Sequence, residues 1–420
     1  MARIVLANFG SLGDLHPVMA IGLELQRRGH SVLFTTTEFY REKIESAGFE
    51  FRPLRPNINS GDSKLATELM DKKSGSKKFI TDILLPNLRP MFDDLIEAVK
   101  DADVLISSET VYAAMSVTEK TGIKWVTFGI IPISFLSGYD PPVFPMAPWL
   151  RYFRFMPPFF HQSIYRYMRR KISPWTEPYK KFRREIGLDE DHDFFLREKY
   201  SRQLTLALFS KLISPQQRDW HEPTLQAGFC FYDGEGDLGK MPEGLEEFLD
   251  AGGPPIVFTL GSVAILEPGN FFTESISAAK ELKKRAVVLY GISNEPPSGL
   301  DENIAGFPYA PHSRIFSRAA CVVHQGGVST ISHILRAGVP MLVVPEATYD
   351  QYDNAARCFR LGVARVLYRG KYRRQNAVKE LGKLFSNPSY RARSQEAKKV
   401  IETENGTRAA CDAIEDLMKK

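Results

Sequence analysis

Two separate series of short apolar runs, each run followed by a turn and a stretch with helical periodicity, constrain this chain more than any other feature. The first series opens at residues 3–8, where Ile4-Val5-Leu6-Ala7 runs into the turn Gly10-Ser11-Leu12-Gly13-Asp14, and Val18, Ile21 and Leu25 then recur on one helix face. Gly29 closes that helix and residues 31–35 read as the next strand, so the opening is a βαβ unit, which demands a parallel sheet covered by helices. Residues 103–107 and 124–128, flanking a helical stretch at 111–120, continue the pattern. A second series begins after the Gly- and acid-rich residues 232–237, which read as a linker, and supplies strands at 256–260, 286–290, 321–323 and 341–344. The predicted class is α/β, with two doubly wound Rossmann-like domains facing across a cleft, one over residues 1–232 and the other over 233–404. Such folds bind ligands at the C-terminal ends of their strands, so that cleft is where function is expected.

A length of 420 residues suits two such domains, and 43% hydrophobic with 25% charged residues excludes disordered and coiled-coil alternatives. Net charge is only +5, which does not indicate nucleic-acid binding. The four cysteines are widely spaced with no C-x-x-C pair, so neither a disulfide framework nor a zinc site is expected, and a reducing cytoplasm fits. No apolar run resembles a secretory leader or reaches the 18 residues of a membrane span. The positive charge is concentrated: residues 151–185 hold ten Lys and Arg against Glu177 and Glu185, interleaved with aromatic residues and preceded by the Pro-rich stretch 141–148. That segment could face anionic lipid headgroups as a peripheral contact at the inner membrane face, roof an apolar acceptor pocket, or simply present a solvated basic side.

His324-Gln325-Gly326-Gly327-Val328-Ser329-Thr330 follows an apolar strand and opens a helix. Glycines there admit a ligand to the backbone, helix N–H groups face an anion, and hydroxyls add donors, so the turn suits a phosphate group; a plain Gly-rich turn with a capping Ser or Thr fits as well. In the next loop Asp350 and Gln351 offer the acceptor and donor set that sugar hydroxyls require, though Asp350 or Asp353 would also serve as a helix cap. Asp14 and His16 lie at the first strand–helix turn, where either could take a proton from an acceptor hydroxyl or act as an ordinary first-turn residue. Gly10-x-x-Gly13 falls short of the dinucleotide fingerprint, which disfavours an oxidoreductase. The acidic run 189–193 reads as a solvated loop rather than a metal site.

Taken together, Gly10-Ser11-Leu12-Gly13-Asp14, Arg28-Gly29-His30-Ser31-Val32, Pro215-Gln216-Gln217-Arg218-Asp219-Trp220, Val257-Phe258-Thr259-Leu260-Gly261-Ser262 and Asp350-Gln351-Tyr352-Asp353-Asn354 make the chain similar to GT-B nucleotide-sugar glycosyltransferases of the UDP-glycosyltransferase family. Within that family it most resembles the rhamnosyltransferases of mono-rhamnolipid synthesis. The resemblance covers nearly the whole length. It implies an inverting, metal-independent hexosyltransferase that moves a sugar from a UDP-glucose or dTDP-rhamnose type donor to a hydroxyl of a small lipophilic acceptor. No cofactor is implied beyond the nucleotide sugar as co-substrate. A final helix at about 405–420 is expected to pack back on the first domain.

By the same resemblance, His324, Gly326, Gly327, Ser329 and Thr330 would hold the donor diphosphate, Ser262 would lie near the nucleotide, Tyr309 and Ala310 would pack on the nucleobase, Asp350 and Gln351 would hold the sugar, and Ser11 and Gly13 would also contact the donor. Asp14 stands where the plant-type pattern has His, and no Asp partner follows at Ile106-Ser107-Ser108-Glu109. Asp14 is therefore the expected base, with Glu109 and His16 as fallbacks. Phe135, Tyr139, Phe144, Trp149 and Phe153 are expected to line the acceptor site, although core packing would account for some of them. A non-catalytic sugar-nucleotide or lipid-binding protein on the same scaffold is the alternative, disfavoured by the intact donor residues.

Overall fold

Apolar runs without polar alternation become strands when both faces of their sheet are covered, and both series do so. The computed structural model describes residues 1–59, 61–71, 74–190, 199–232, 239–346 and 350–420. Residues 191–193 of the acidic run, 233–237 of the expected linker, and Thr348 and Tyr349 lie outside the described residues. The first sheet contains β1 (Arg3–Ala7), β2 (Ser31–Thr36), β3 (Glu50–Pro53), β4 (Val104–Ser108), β5 (Lys124–Gly129), β6 (Leu204–Ala207) and β7 (Thr224–Gln226) in the order β3-β2-β1-β4-β5-β6-β7. The second contains β8 (Ile256–Thr259), β9 (Ala286–Leu289), β10 (Ile304–Phe307), β11 (Cys321–His324), β12 (Met341–Val343) and β13 (Ala364–Val366) in the order β10-β9-β8-β11-β12-β13. Every pairing is parallel.

Strand order reverses between β1 and β4 in one sheet and between β8 and β11 in the other. At such a point the loops leaving two neighbouring strands diverge to opposite faces and open a crevice. The turn after β1 carries Asp14, the turn after β8 carries Ser262, and the turn after β11 carries Gly326 and Gly327, so topology alone gathers three of the sequence motifs at switch points. Five strands are absent from the sequence reading: β3, β7, β10 and β13 are the sheet edges, short and half-exposed, where little apolar signal is required, and β6 is an interior strand of only four residues in which Thr205 interrupts the apolar run.

The closing helix, Gly406–Lys419, returns to the first sheet's side: Ala410, Cys411 and Ile414 are buried in one cluster with Ile21 and Leu25. Polar contacts fix its register, with Lys124 Nζ donating to the Met418 carbonyl at 2.8 Å and Arg28 pairing Asp412 at 2.7 Å and Glu415 at 2.9 Å. All four cysteines are free and buried. The basic segment 151–185 does not present all its cations to solvent, because Arg183 is fully buried and pairs with Glu119 at 2.6 Å.

Candidate functional site

Asp14 sits in the first turn of the helix Leu12–Arg27, part-exposed, with Oδ2 accepting from the Ser11 N–H at 2.7 Å and from Ser11 Oγ at 2.8 Å. These two donors orient the carboxyl and oppose a rise in its pKa, but desolvation, aided by the Glu109 charge, outweighs them and lifts the group above the usual Asp range. The helix Val328–Ala337 of the second half comes close to this turn: a Cβ built on Gly13 would lie 3.9 Å from the Ser329 Cβ. Asp350, just before the helix Gln351–Leu361, feels the Asp14 charge across the cleft. Burial first, then Asp14 and Asp353, bring its pKa to about 6.

Gly326 adopts φ +102°, and a Cβ there would lie 2.9 Å from Val343 Cγ1 and 3.4 Å from the Gln351 carbonyl oxygen, so only glycine lets this turn pass between β12 and the next helix. Asn354 Nδ2 donates to the Gly326 carbonyl at 3.0 Å and to Asp350 Oδ2 at 2.8 Å. One amide thus fixes the glycine turn and the acid beside it in a single geometry. Asn354 appeared only inside a motif in the sequence reading; its position four residues after Asp350, one helical turn, is the signal that marks it.

Several expected donor residues point elsewhere. His324 is fully buried on β11, where Nδ1 accepts the Gly326 N–H at 3.1 Å and Nε2 lies 3.4 Å from Met341 Sδ. Burial lowers its pKa to about 3, so it neither carries charge nor faces a ligand; it shapes the turn from behind. Thr330 and Ala310 are likewise buried, because their places on helix and loop face the core. Gln351 is buried with Oε1 accepting the Glu346 N–H at 2.9 Å. Ser11, Gly13, Ser262, Tyr309, Gly327 and Ser329 are part-exposed.

A cavity between the helices Leu12–Arg27 and Val328–Ala337 is lined by His16, Pro17, Tyr232, Ser329, Ser332 and His333. The His16 ring lies 5.1 Å from that of Tyr232 at a tilt of 49°, and His333 lies 5.8 Å from His312. Burial first, and neighbouring cations second, lower the pKa of His16 to about 3, and burial with the surrounding histidines does the same for His312. His16 is therefore a neutral wall residue rather than a charged one. His333 was missed in the sequence, although it follows Ser329 by one helical turn.

The inward placement of His324 has a measurable consequence. The unfolded chain binds its proton near 6.5 and the folded chain near 3, so the stability this group contributes is complete above pH 6.5 and drains away as pH falls toward 3. His324→Asn keeps an acceptor for the Gly326 N–H and removes the titration. The loss of unfolding free energy between pH 7 and pH 5 is then expected to be smaller by about 2 kcal/mol than in the parent. Urea unfolding at both pH values checks this, and an unchanged loss would place the ring in contact with water.

On the acceptor side two expectations are corrected. Phe135 is a core residue, packed on Tyr200, Phe209 and Trp220 at ring distances of 5.3, 5.5 and 4.5 Å. Phe144 is buried too and meets Tyr165 edge-on at 6.4 Å. Both rings are covered by other aromatic side chains and are only 6% exposed, so their bulk fills the interior. Tyr139, Trp149 and Phe153 are exposed. Asp219 of the Pro215–Trp220 motif holds this loop, accepting from Ser137 Oγ at 2.6 Å and the Gly138 N–H at 2.7 Å. Glu109 is paired with Lys199 and accepts from Ser134 Oγ, so both of its oxygens are engaged.

Among the described residues no group of three or more His, Cys, Asp or Glu side chains gathers as for a metal ion. Two domains of one family match the chain: the glycosyltransferase family 28 N-terminal domain over residues 4–134 and its C-terminal domain over residues 278–410. The chain is a nucleotide-sugar glycosyltransferase of the GT-B fold. This glycosyltransferase is 28% identical over 425 residues to the O-mycaminosyltylonolide 6-deoxyallosyltransferase of Streptomyces fradiae, covering 99% of this chain and 97% of that protein. It is 26% identical over 447 residues to a sterol 3-beta-glucosyltransferase of Arabidopsis thaliana, covering 98% of this chain and 67% of that one. Its fold matches the spinosyn rhamnosyltransferase complexed with thymidine diphosphate with a TM-score of 0.70 at 16% identity, covering 99% and 100% of the two chains. It matches the kitacinnamycin glycosyltransferase equally well, at 0.70 and 22% identity over 99% of each. The glycosyltransferase is therefore placed among natural-product relatives, and the narrower likeness to rhamnolipid enzymes gains no specific support from them.

Proposed function

We propose that this glycosyltransferase transfers a hexosyl unit from a nucleotide diphosphate sugar to a hydroxyl of a lipophilic small molecule, with inversion and with Asp14 as the base. The approach of the Asp14 turn to the Ser329 helix and Asp350 carries this reading, since it sets a proton acceptor opposite a cradle for an anion and a sugar. In the reaction, an Asp14 oxygen takes the acceptor O–H proton while the acceptor oxygen attacks the anomeric carbon. The bond from that carbon to the diphosphate oxygen breaks on the opposite face, so configuration inverts.

The leaving diphosphate gains negative charge, which the N–H groups at the start of the helix Val328–Ala337, with Gly327 and the Ser329 hydroxyl, would meet. Asp350, with a pKa of about 6, is poised to share hydrogen bonds with sugar hydroxyls in either protonation state. Tyr309 and Ser262 would border the nucleotide. Tyr139, Trp149 and Phe153 remain the aromatic candidates for the acceptor side. The relatives named above act on O-mycaminosyltylonolide and on sterols, which favours an apolar acceptor, and a deoxyhexose or glucose donor fits equally.

Calorimetric titration with UDP-glucose, dTDP-rhamnose, UDP and dTDP tests the reading. A selective response to one nucleotide sugar, followed by an inverted glycoside identified by NMR, is the expected result. No binding across the panel would leave the non-catalytic alternative in its place.

A further inference from the structure

Residues 141–176 contain six cations, Arg151, Arg154, Arg166, Arg169, Arg170 and Lys171, and no carboxylate. The whole chain is net +5, so this short segment carries more than all of its excess charge, and the remainder is net −1. The same segment presents Met146, Trp149, Tyr152, Phe155, Phe159 and Tyr167 at 56% to 80% exposure. Among the described residues the other large apolar side chains at least this exposed, Met1 and Ile292, stand singly. Scattered residues need no explanation, whereas a cluster at one place marks an interaction surface.

The local fold is fixed rather than frayed. Prolines at 145, 148, 157 and 158 prevent a continuous helix, so the chain makes a short turn at Pro148–Phe153 and then starts the helix Pro158–Ile172. Arg154 pairs inward with Asp140 at 2.6 Å, and Arg151 donates to the Tyr368 hydroxyl of the second half. Tyr368 in turn stacks on Tyr352 at 5.2 Å, directly after Asp350 and Gln351. The patch is thus clamped beside the sugar end of the cleft. On the helix, the exposed residues Phe159, Gln162, Ser163, Arg166 and Arg170 share one face, apolar at its start and basic at its end, with Lys171 adjoining. The Phe153 ring lies 6.5 Å from Phe155 and 6.4 Å from Phe160, an aromatic cluster at the start of that helix.

We propose that this surface docks on an anionic lipid bilayer, the rings around Phe155 and Phe159 entering the headgroup layer while Arg166, Arg170 and Lys171 meet lipid phosphates. Aromatic residues suit that layer because one part of it is apolar and the other wet, and cations near it are drawn by the surface potential. A second copy of the chain is a poor occupant, since a two-fold contact would set this acid-free patch against itself. A single small acceptor would cover a few rings but not a stretch from Met146 to Tyr167. No helix of the described residues is long and apolar enough to cross a membrane, so the contact is peripheral. The proposal is independent of the transfer chemistry.

Co-sedimentation of the full chain with vesicles tests it, using phosphatidylcholine alone or in equal parts with phosphatidylglycerol. Partitioning onto the mixed vesicles is expected to exceed that onto the neutral ones by about tenfold or more and to fall with added salt. Phe155→Ser with Phe159→Ser, and separately Arg166→Gln with Arg170→Gln and Lys171→Gln, should each remove most of the binding while unfolding midpoints stay at the parental value. Equal weak partitioning onto both vesicle types, or parental binding by either variant set, overturns the proposal. So does retention on heparin that depends on the arginines alone together with no vesicle binding, which would mark a polyanion site, or a concentration-dependent dimer abolished by the Phe155→Ser pair.

Discussion

Asp14→Asn is expected to lower kcat by about two to four orders of magnitude while the Kd for nucleoside diphosphate stays near the parental value. The amide keeps the size of the carboxyl and still accepts from Ser11, so the first turn of the helix should hold its shape. What it cannot do is take a proton. The proposed donor cradle, Gly326, Gly327 and Ser329, belongs to the half built on the other sheet and does not depend on this position. The neighbouring groups are ill placed to substitute, because Glu109 is tied to Lys199 and Ser134, and His16 is held neutral with a pKa near 3 inside the cavity wall. The pH profile supplies a second readout. Burial raises the Asp14 pKa, so kcat should rise with pH through that raised value, and Asp14→Asn should lose this limb. Ser11→Ala removes a hydrogen bond that favours the ionised form and should move the limb to higher pH. Near-parental turnover in Asp14→Asn would transfer the role to another group, with Glu109→Gln the next variant to assay.

The sequence revealed most where one physical cause dominates. Both-face burial wrote Val, Ile and Leu into most interior strands, so β1, β2, β4, β5, β8, β9, β11 and β12 were recognisable, while the edge strands and the four-residue interior strand β6 carried no such imprint. Glycine turns were equally legible, since the φ of Gly326 and the closeness of Val343 permit no other residue. Side-chain direction was not. His324, Thr330 and Gln351 lie within motifs that point to a ligand, yet one rotation of backbone or χ angle decides whether such a group faces the cleft or the core, and spacing does not encode it. Phe135 and Phe144 show the same limit, because an aromatic ring satisfies a core and a pocket alike. Least visible were contacts between distant segments. Nothing in the neighbourhood of Asp140 announces that it meets Arg357, 217 residues away.

That meeting yields the largest stability effect. Arg357 is 3% exposed; its Nε donates to Asp353 Oδ2 at 2.6 Å, and Nη1 donates to Asp140 and to the Ile213 carbonyl at 3.3 Å. Asp353 Oδ1 accepts the Val143 N–H at 3.0 Å, and Asp140 also accepts from Ser214 Oγ and Arg154, each at 2.6 Å. One guanidinium thus joins the loops at 140–143 and 213–214 of the first half to the helix that begins beside Asp350 in the second. Planar, forked donors make arginine the residue for such a junction. Arg357→Ala takes the cation from the fully buried Asp353 carboxylate and one of several partners from Asp140, and is expected to cost about 3–5 kcal/mol, whereas Arg357→Lys, a single point charge, should recover only part of it. Burial alone would push the Asp140 carboxyl up, but Arg357, Ser214 and Arg154 together bring it below its ordinary 3.8. The stabilisation is therefore complete above that pH and lost as pH falls through the depressed value, so the Arg357→Ala penalty should shrink in acid. Urea unfolding of Arg357→Ala, Asp140→Asn and the double variant measures the coupling directly. A strongly non-additive pair is expected, and simple additivity would mean that the two halves are held together by other contacts.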